Sequence, residues 1–286
     1  MMNLLFAMLL PLLIDPEPAS STELLRLATF NIHHAEGTDG NLDVGRVVKV
    51  VHDSDVIAFQ EVDVRFGERS QFADQAEELA KALGGEVAFG GNLIRDKGAY
   101  GVALVSKYPI LAKRNHPLPR SAGRENAEPR GLLEVTIDVK GRPIRVYVTH
   151  LAHDSAADRR LQVEAVRKVI ASKSGPAILM GDLNFRPESD HYKRLLAAEA
   201  EMPALLVDSW TQVGKGNGHS IGLKGKSPGR IDYILVSPDL ADGLEEIHVD
   251  TETIASDHQP VLAELRLKPV APRTTSTSSS PSRVSP

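Results

Sequence analysis

Short apolar runs rich in valine and isoleucine constrain the fold of this chain more than any other feature. They recur along most of its length, and glycine, proline, asparagine or aspartate often stands in the gaps between them. Such punctuated runs are typical of β-strands. We therefore predict strands at residues 25–32, 56–60, 101–106, 132–139, 144–150, 177–180, 231–236 and 260–267, with a hairpin turn at residues 140–143.

Helical periodicity occupies some of the intervals between these strands. The valines from Val44 to Val51 follow the spacing i, i+3, i+4, i+7 after a candidate N-cap at Asn41. The same spacing recurs at residues 73–83, and a third helix is predicted near residues 156–172. Because helices are few and do not alternate strictly with strands, we predict an α/β four-layer sandwich. In this fold two mixed β-sheets pack face to face and helices cover both outer faces.

The two ends of the chain differ from its body in composition. Residues 3–14 are almost entirely apolar but too few to span a bilayer comfortably, so we expect residues 1–20 to be a signal peptide or a disordered leader and expect no integral membrane span. The alternative is an N-terminal strand or helix packed on the core. Residues 271–286 are rich in Ser, Thr and Pro and are expected to be a disordered tail. One domain is therefore predicted at residues 21–270.

Deletion of residues 271–286 should leave both the melting temperature and the turnover of the protein unchanged, because a tail without apolar anchors makes no core contacts. Thermal denaturation of the shortened chain beside the full chain checks this. A clear drop in melting temperature would mean that the tail docks on the domain.

Composition excludes some classes of chemistry. The chain has no cysteine, so it has no disulfide and no thiolate nucleophile or ligand. Its formal charge is −5, and the body keeps this charge because the two acids in residues 1–20 balance the two arginines in residues 271–286. An acidic domain lacks the broad positive field that drives nonspecific DNA binding, which disfavours nucleic acid as a partner without excluding it.

Polar residues stand at the ends of several predicted strands. Glu61 follows the run at residues 56–59, Asp182 follows the run at residues 177–180, and His258 precedes the run at residues 260–267. Strand ends can bring polar groups from distant parts of a chain to one rim of a sandwich. Carboxylates, amides and an imidazole gathered there suit a hard divalent cation and a phosphate. Each motif taken alone could instead be a solvated strand end or an Asx-turn.

The order of these motifs resembles that of the endonuclease/exonuclease/phosphatase superfamily, which includes pancreatic-type DNases, apurinic endonucleases, inositol polyphosphate 5-phosphatases and neutral sphingomyelinases. The resemblance spans about residues 25–267 and implies a DNase-like fold. Residues 31–40 and 61–70 look most like a bacterial group that is similar to the hydrolase-like domain of the Calcofluor-white-hypersensitive proteins of GPI-anchor remodelling. The motifs that carry the resemblance are Thr29-Phe30-Asn31, Gln60-Glu61, Thr149-His150-Leu151, Gly181-Asp182-Leu183-Asn184, Arg230-Ile231-Asp232-Tyr233 and Ser256-Asp257-His258.

The resemblance implies a metal site and a water-activating carboxylate. Glu61 is expected to be the main ligand of Mg²⁺, for which Mn²⁺ can substitute, with Asn31 and Asp257 beside it. Asp182 is expected to orient or deprotonate the attacking water, and Asn184 to hydrogen-bond the phosphate. A turn-capping amide is the alternative for Asn31.

Histidines and arginines complete the expected site. His258 is expected to act on the phosphate with its tautomer fixed by Asp232, either as the base or as a stabilising cation. In the resembling DNases and sphingomyelinases a histidine at the position of His150 contacts the phosphate or assists the leaving group. Arginines are expected to grip the phosphate, with surface salt bridges as the alternative: Arg65, Arg69 and Arg130. Weaker candidates, for which a solvated loop position is at least as good an interpretation, are His33, His34 and His153.

We therefore predict a divalent-metal-dependent phosphoester hydrolase, a phosphodiesterase that uses in-line attack of water without a covalent intermediate. Its expected substrate is a small or lipid-derived phosphoester, including inositol derivatives, and its expected state is an exported monomer. A nuclease is the first alternative. A catalytically silent binding protein is the alternative from another class, although such proteins usually lose metal or base residues and none of the expected ones is missing here.

Overall fold

The computed structural model describes residues 22–95, 97–198, 204–222 and 227–269. The leader predicted at residues 1–20 and the tail predicted at residues 271–286 lie outside these residues.

One six-stranded sheet contains both the first and the last strand of the described chain. Its order is β11-β12-β1-β2-β4-β3, with β1 and β2 parallel and the other neighbours antiparallel. The strands are β1 (Glu23–Asn31), β2 (Val56–Val64), β3 (Glu86–Arg95), β4 (Gly98–Ser106), β11 (Leu244–Val249) and β12 (Val261–Leu267).

The other six-stranded sheet is formed by the middle of the chain. Its order is β5-β6-β7-β8-β10-β9, with β7 and β8 parallel and the other neighbours antiparallel. The strands are β5 (Ile110–Pro117), β6 (Gly131–Val139), β7 (Arg142–His150), β8 (Ala177–Asp182), β9 (Val207–Asp208) and β10 (Asp232–Val236). The predicted hairpin turn lies between β6 and β7.

Alternating side chains of the strands build three apolar layers. In β1, Leu25 and Leu27 point into the core between the two sheets, whereas Ala28 and Phe30 point to the opposite face and its helices. Helices α1 (Val44–Val51) and α2 (Gln75–Leu83) cover the first sheet, and α3 (Ala156–Ala171) and α4 (Asp190–Leu196) cover the second. Short helices α5 (Ser209–Val213) and α6 (Pro238–Ala241) contact the edge of the core between the sheets. The four-layer sandwich predicted from the sequence is thus confirmed.

The start of α1 differs from the prediction. Asp43, not Asn41, is the N-cap, and its side chain accepts a hydrogen bond from the backbone N–H of Arg46. Asn41 instead donates to Asp39. Both residue types can cap a helix, so the spacing of the valines alone could not distinguish them. No helix in the described part of the chain is long and apolar enough to cross a membrane.

A buried glutamate on β6 makes the stability of the sandwich depend on pH. Burial alone would raise the pKa of Glu134, but hydrogen bonds from Lys173 and His116 outweigh burial and lower this pKa. Because the pKa is lower in the folded state, the stabilisation is present above the unfolded-state value of about 4.3 and is lost as the pH falls through the folded value.

We expect Glu134→Gln to flatten the pH dependence of the urea unfolding midpoint below about pH 5, where the wild-type protein loses this stabilisation. The exposed Glu246 provides the matched control, since Glu246→Gln should leave the profile unchanged. Equal slopes for wild type and Glu134→Gln would contradict the assignment.

Candidate active site

The two pairs of parallel strands bring the predicted residues to one rim of the sandwich. In the first sheet, Asn31 at the end of β1 is paired with Gln60 on β2, the neighbour of Glu61. In the second sheet, His150 at the end of β7 is paired with Asp182 on β8, which in turn is paired with Asp232 on β10. His150, Asp182 and Asp232 therefore lie side by side on three adjacent strands.

The backbone is distorted at two of these positions. Glu61 sits at a bulge where the register between β2 and β4 shifts, and its φ is 60°. Asn184, just after β8, has a φ of 53°. Side chains rarely adopt such left-handed conformations, and they persist where the surrounding structure holds them, often at functional sites.

A cavity of about 510 Å³ opens at this rim between the two sheets. It contains side chains from both halves of the sandwich, with carboxylates, imidazoles, guanidinium groups and two aromatic rings in its wall. The lining residues are His33, Glu61, Phe66, Arg69, Leu93, Arg95, Tyr100, Glu128, Arg130, His150, His153, Asp182, Asn184, Ile221, Asp257 and His258.

Asn31 joins the two halves of this site. Its fully buried amide nitrogen donates to Oε1 of Glu61 at 3.0 Å and to Oδ2 of Asp182 at 3.1 Å. Its amide oxygen accepts from the backbone N–H of His33 at 3.1 Å. One side chain thus fixes the carboxylate of the first sheet relative to that of the second.

His258 is held between two carboxylates. Its Nδ1 lies 3.0 Å from Oδ2 of Asp232, and its Nε2 lies 3.8 Å from Oδ2 of Asp182. Burial alone would lower the pKa of His258, but the charge and hydrogen bond of Asp232 outweigh burial and raise the pKa to about 10. The same Asp232 oxygen accepts a 2.6 Å hydrogen bond from Ser220. The His258 ring is therefore a cation at neutral pH in a fixed orientation.

The pKa of His150 is lowered, unlike that of His258, and the pKa of Asp182 is raised. Burial, together with the positive charge of Arg130, holds the pKa of His150 well below its ordinary value, so this imidazole is neutral. Burial and the nearby Asp232 raise the pKa of Asp182 to about 7. His150 Nε2 lies 3.4 Å from Oδ2 of Asp182. A carboxylate with a raised pKa is a stronger base than an exposed aspartate, which suits proton abstraction from water.

Asn184 lies beside Asp182 in an Asx-turn, the geometry considered as the alternative for such a motif. Its backbone N–H donates to Oδ1 of Asp182 at 2.9 Å, and its side-chain nitrogen donates to the carbonyl of Leu151 at 3.0 Å. These two bonds orient the amide at the cavity wall.

The three predicted arginines occupy different positions. Arg130 is buried in the cavity wall, 2.9 Å from Glu128 and 3.2 Å from Nδ1 of His153. Arg69 also lines the cavity. Arg65 does not line the cavity: its side chain is 67% exposed and pairs with Asp74 at the surface. The structure thus brings two of the three arginines to the site and leaves Arg65 in the surface salt bridge considered as its alternative.

Arg69 is held more firmly than a surface residue would be. Its Nε and Nη2 donate to the fully buried Asp63 at 2.9 and 2.6 Å, and its guanidinium lies 5.1 Å from the ring centroids of Phe66 and Tyr100. Asp63 raises the pKa of Arg69, so its charge is permanent. Much of its donor capacity is therefore used within the protein.

Sequence reasoning missed several residues of the site. Ser220 carries no recognisable motif and precedes Asp232 by 12 positions, yet it fixes the carboxylate that orients His258. Asp63 lies within residues 61–70, but nothing in that segment indicates that it pairs with Arg69. Phe66 and Tyr100 form an apolar part of the wall that had no sequence signal beyond their aromatic rings.

A family model described as the endonuclease/exonuclease/phosphatase family matches residues 28–258. The chain belongs to this family. Members of the endonuclease/exonuclease/phosphatase family are metal-dependent phosphoester hydrolases, so the chain is an enzyme of this class. The assignment made from the order of the six motifs is confirmed.

Individual relatives agree with the family assignment. The chain is 33% identical to the protein cwh43 of Schizosaccharomyces pombe over 111 residues, covering 38% of this chain and 11% of that protein. It is 32% identical to a sphingomyelinase C of Listeria ivanovii over 104 residues, covering 32% of this chain and 31% of that protein. The chain thus spans less than a third of each of these curated relatives.

A solved structure shows the same fold. The endonuclease/exonuclease/phosphatase from Beutenbergia cavernae superposes with a TM-score of 0.73 at 28% identity, covering 86% of this chain and 72% of that chain.

The residues at the rim suit the divalent metal on which the family depends. Glu61 and Asp257 both line the cavity, and Oε1 of Glu61 is oriented by Asn31. Within the described part of the chain, Oε2 of Glu61 has no hydrogen-bond partner. Mg²⁺ takes one or two protein carboxylates and completes its shell with water and phosphate oxygens, so this donor set fits it.

Proposed function

We propose that this chain is a Mg²⁺-dependent phosphodiesterase that hydrolyses a small or lipid-derived phosphoester by in-line attack of water. The observation that carries the proposal is the convergence on one oxygen, Oδ2 of Asp182. That oxygen lies 3.1 Å from the Asn31 amide, 3.4 Å from His150 and 3.8 Å from His258. A buried base surrounded by donors, beside a metal-binding carboxylate, is the arrangement that water-mediated phosphoester cleavage requires.

Each side chain has a role that follows from its environment. Asp182 has a raised pKa and can take a proton from water, while Asn31 and Asn184 hold its two oxygens in place. His258 carries a positive charge fixed by Asp232 and offers Nε2 to the charge that develops on the phosphate. His150 is neutral and can donate or accept a hydrogen bond beside the phosphate.

Glu61 would hold the metal, with Asp257 and Asn31 beside it. A bound metal would supply Lewis-acid chemistry, neutralising phosphate oxygens and the leaving group. Arg130 and Arg69 add positive charge to the cavity wall, which favours an anionic substrate.

Two features support a small or lipid-derived substrate over nucleic acid. The net charge of the chain is −5, so it lacks the broad positive field that favours nucleic-acid binding, while Arg69, Arg95 and Arg130 line the cavity. The similarity to a sphingomyelinase C and to cwh43 points in the same direction.

A substrate panel tests the proposal. The purified protein is incubated with Mg²⁺ and bis-p-nitrophenyl phosphate, sphingomyelin, phosphatidylinositol, inositol phosphates, plasmid DNA or abasic duplex. We expect turnover of the simple diester and of at least one lipid or inositol phosphoester, abolished by a chelator. Cleavage of DNA alone would replace the proposal with the nuclease alternative, and no turnover of any substrate would favour a silent binding protein.

We expect Glu61→Gln to weaken activity mainly through the metal, so that raising Mg²⁺ or supplying Mn²⁺ restores part of the rate. The amide keeps the shape of the side chain but removes the charge that attracts the cation. The measurement is the rate as a function of metal concentration for both proteins. An unchanged metal titration in the variant would remove Glu61 from the site.

We also propose that the protein is exported as a monomer. The support for export is the apolar stretch at residues 3–14, which lies outside the described residues. N-terminal sequencing of the natively expressed protein should find residues 3–14 removed. An intact N-terminus on protein retained inside the cell would overturn this part of the proposal, and light scattering checks the monomer.

A further inference from the structure

A short turn after β1 carries two adjacent histidines in an unusual backbone conformation. His33, His34 and Ala35 form a 3-10 turn in which all three residues have positive φ values, of 46°, 46° and 64°. Left-handed conformations are uncommon even singly for residues with side chains, and three in succession require a surrounding structure that holds them.

The side chains of His33, His34 and Glu61 have the composition of a metal site that differs from the Mg²⁺ site. One ring nitrogen from each histidine and one carboxylate oxygen of Glu61 all lie within 4.8 Å of one another. Two imidazoles and a carboxylate suit a transition metal such as zinc, whereas Mg²⁺ prefers oxygen ligands.

The free ring atoms identify which nitrogens can bind. His34 is 6% exposed, and its Nδ1 is a buried polar atom with no hydrogen-bond partner within the described part of the chain. Its other nitrogen, Nε2, lies 3.4 Å from Oε2 of Glu36. A ligating histidine typically donates its second N–H to a carboxylate or a carbonyl, which fixes the tautomer. The contact with Glu36 therefore leaves Nδ1 of His34 as the metal-facing atom.

His33 follows the same pattern with the nitrogens exchanged. Its Nδ1 lies 3.4 Å from the backbone carbonyl of Glu36, and the residue lines the cavity. Nε2 is then the nitrogen available to a metal. Glu36 thus supports both rings, one through its side chain and one through its backbone.

The turn is rigid enough to hold such a site. Gln75, which is fully buried on α2, donates to the carbonyl of His34 at 2.7 Å and accepts from the N–H of Asp63 at 3.0 Å. Asn31 accepts from the N–H of His33. The charge of Arg69 acts against a cation at the turn, but its two hydrogen bonds to Asp63 hold the guanidinium in place, and the carboxylate of Asp63 partly offsets it.

We propose that His33, His34 and Glu61 bind a second divalent ion of the zinc class, with an open coordination position toward the cavity. Three protein ligands with one open position are typical of zinc sites that bind a water or a substrate. The proposal rests on the proposed function only in that Glu61 is shared between the two metals. The preference of the site for a zinc-class ion over Mg²⁺ follows from the two imidazoles alone.

Cobalt binding to the untagged full-length protein tests the site. Co²⁺ is titrated in the presence of saturating Mg²⁺, and the visible d–d absorption and the paramagnetically shifted imidazole N–H resonances are followed. We expect one equivalent of Co²⁺ to bind, two shifted N–H signals to appear, and Zn²⁺ to displace Co²⁺.

Variants assign the ligands. His33→Ala and His34→Gln should each weaken Co²⁺ binding by at least about 10²-fold, and Glu36→Gln by about 10- to 100-fold, since it removes only a supporting contact. His52→Ala is the control, because His52 is 70% exposed and distant in sequence from the turn. If His34→Gln does not fold by circular dichroism, the partly exposed His33 still decides the result.

Two outcomes overturn the inference: Co²⁺ binding that is unchanged in His33→Ala, and the absence of Co²⁺ binding while Mg²⁺ is saturating. Because the readout is binding, it is separate from turnover. A protein that hydrolyses no phosphoester but loses Co²⁺ binding in His33→Ala refutes the proposed function and retains this site. A protein that hydrolyses a phosphoester but binds Co²⁺ equally well in His33→Ala supports the proposed function and refutes the second site.

Discussion

Replacement of Asp182 by asparagine should lower turnover by at least about 10²-fold, the scale of a lost general base. The change keeps the size of the side chain, so the hydrogen bond from the Asn184 backbone can persist while the ability to accept a proton disappears. The measurement is kcat for one diester at saturating metal. Asp190→Asn makes the same replacement at a fully exposed position and should leave kcat unchanged.

The partners of Asp182 refine this expectation. His258→Ala should also cost at least about 10²-fold, and the double variant should lose less than the product of the two effects, because both groups act on one water and one phosphate. Asp232→Asn should be milder than His258→Ala, since the ring remains and only its orientation and charge are disturbed. A folded Asp182→Asn protein with near wild-type turnover would refute the mechanism.

Replacement of Arg69 by methionine should lower the free energy of unfolding more than the same replacement of Arg65. Asp63 is fully buried and receives two hydrogen bonds from this guanidinium, so Arg69→Met leaves a buried carboxylate without its cation. Breaking a fully buried ion pair from one side costs about 3–5 kcal/mol of unfolding free energy, and because the Arg69 side chain is 40% exposed we expect a loss below that range. Urea denaturation followed by circular dichroism measures the change.

The matched control is Arg65→Met, since Arg65 pairs with Asp74 at the surface and contributes little. Adding Asp63→Asn to Arg69→Met should restore part of the stability, because the uncompensated charge is then absent. Equal stability of Arg65→Met and Arg69→Met would show that the bidentate pair does not stabilise the fold.

The sequence predicted the central strands and missed the edges. The four strands without a prediction are β3, β5, β9 and β11, and each lies at an edge of its sheet. An edge strand has one neighbour and often one solvated face, so its apolar pattern is weak. β5 shows this, with Leu111, Ala112, Lys113 and Arg114 all exposed. Strand β9 has only two residues, too few for any pattern.

The sequence indicated site residues that lie in short motifs, and it did not indicate those that reach the site only through tertiary contacts. Asp182, Asn184 and His258 lie in local motifs beside strong apolar strands, and the structure places them in one cavity. The sequence could not distinguish Arg65 from Arg69, because both follow β2 within a few residues. Only the fold shows that Asp63 selects one of them.

The amide of Asn31 has a consequence for how activity responds to partial loss of structure. Its bonds connect Glu61 on the first sheet with Asp182 on the second, and Asn31 itself lies 151 positions before Asp182. The distance between the Glu61 carboxylate and the Asp182 base therefore depends on how the two sheets pack against each other. A small slip between the sheets would separate these groups while every strand kept its own ladder of hydrogen bonds. Catalysis in such a molecule should fail at lower denaturant than its β-sheet circular dichroism signal, and turnover then becomes a sensitive reporter of sheet alignment.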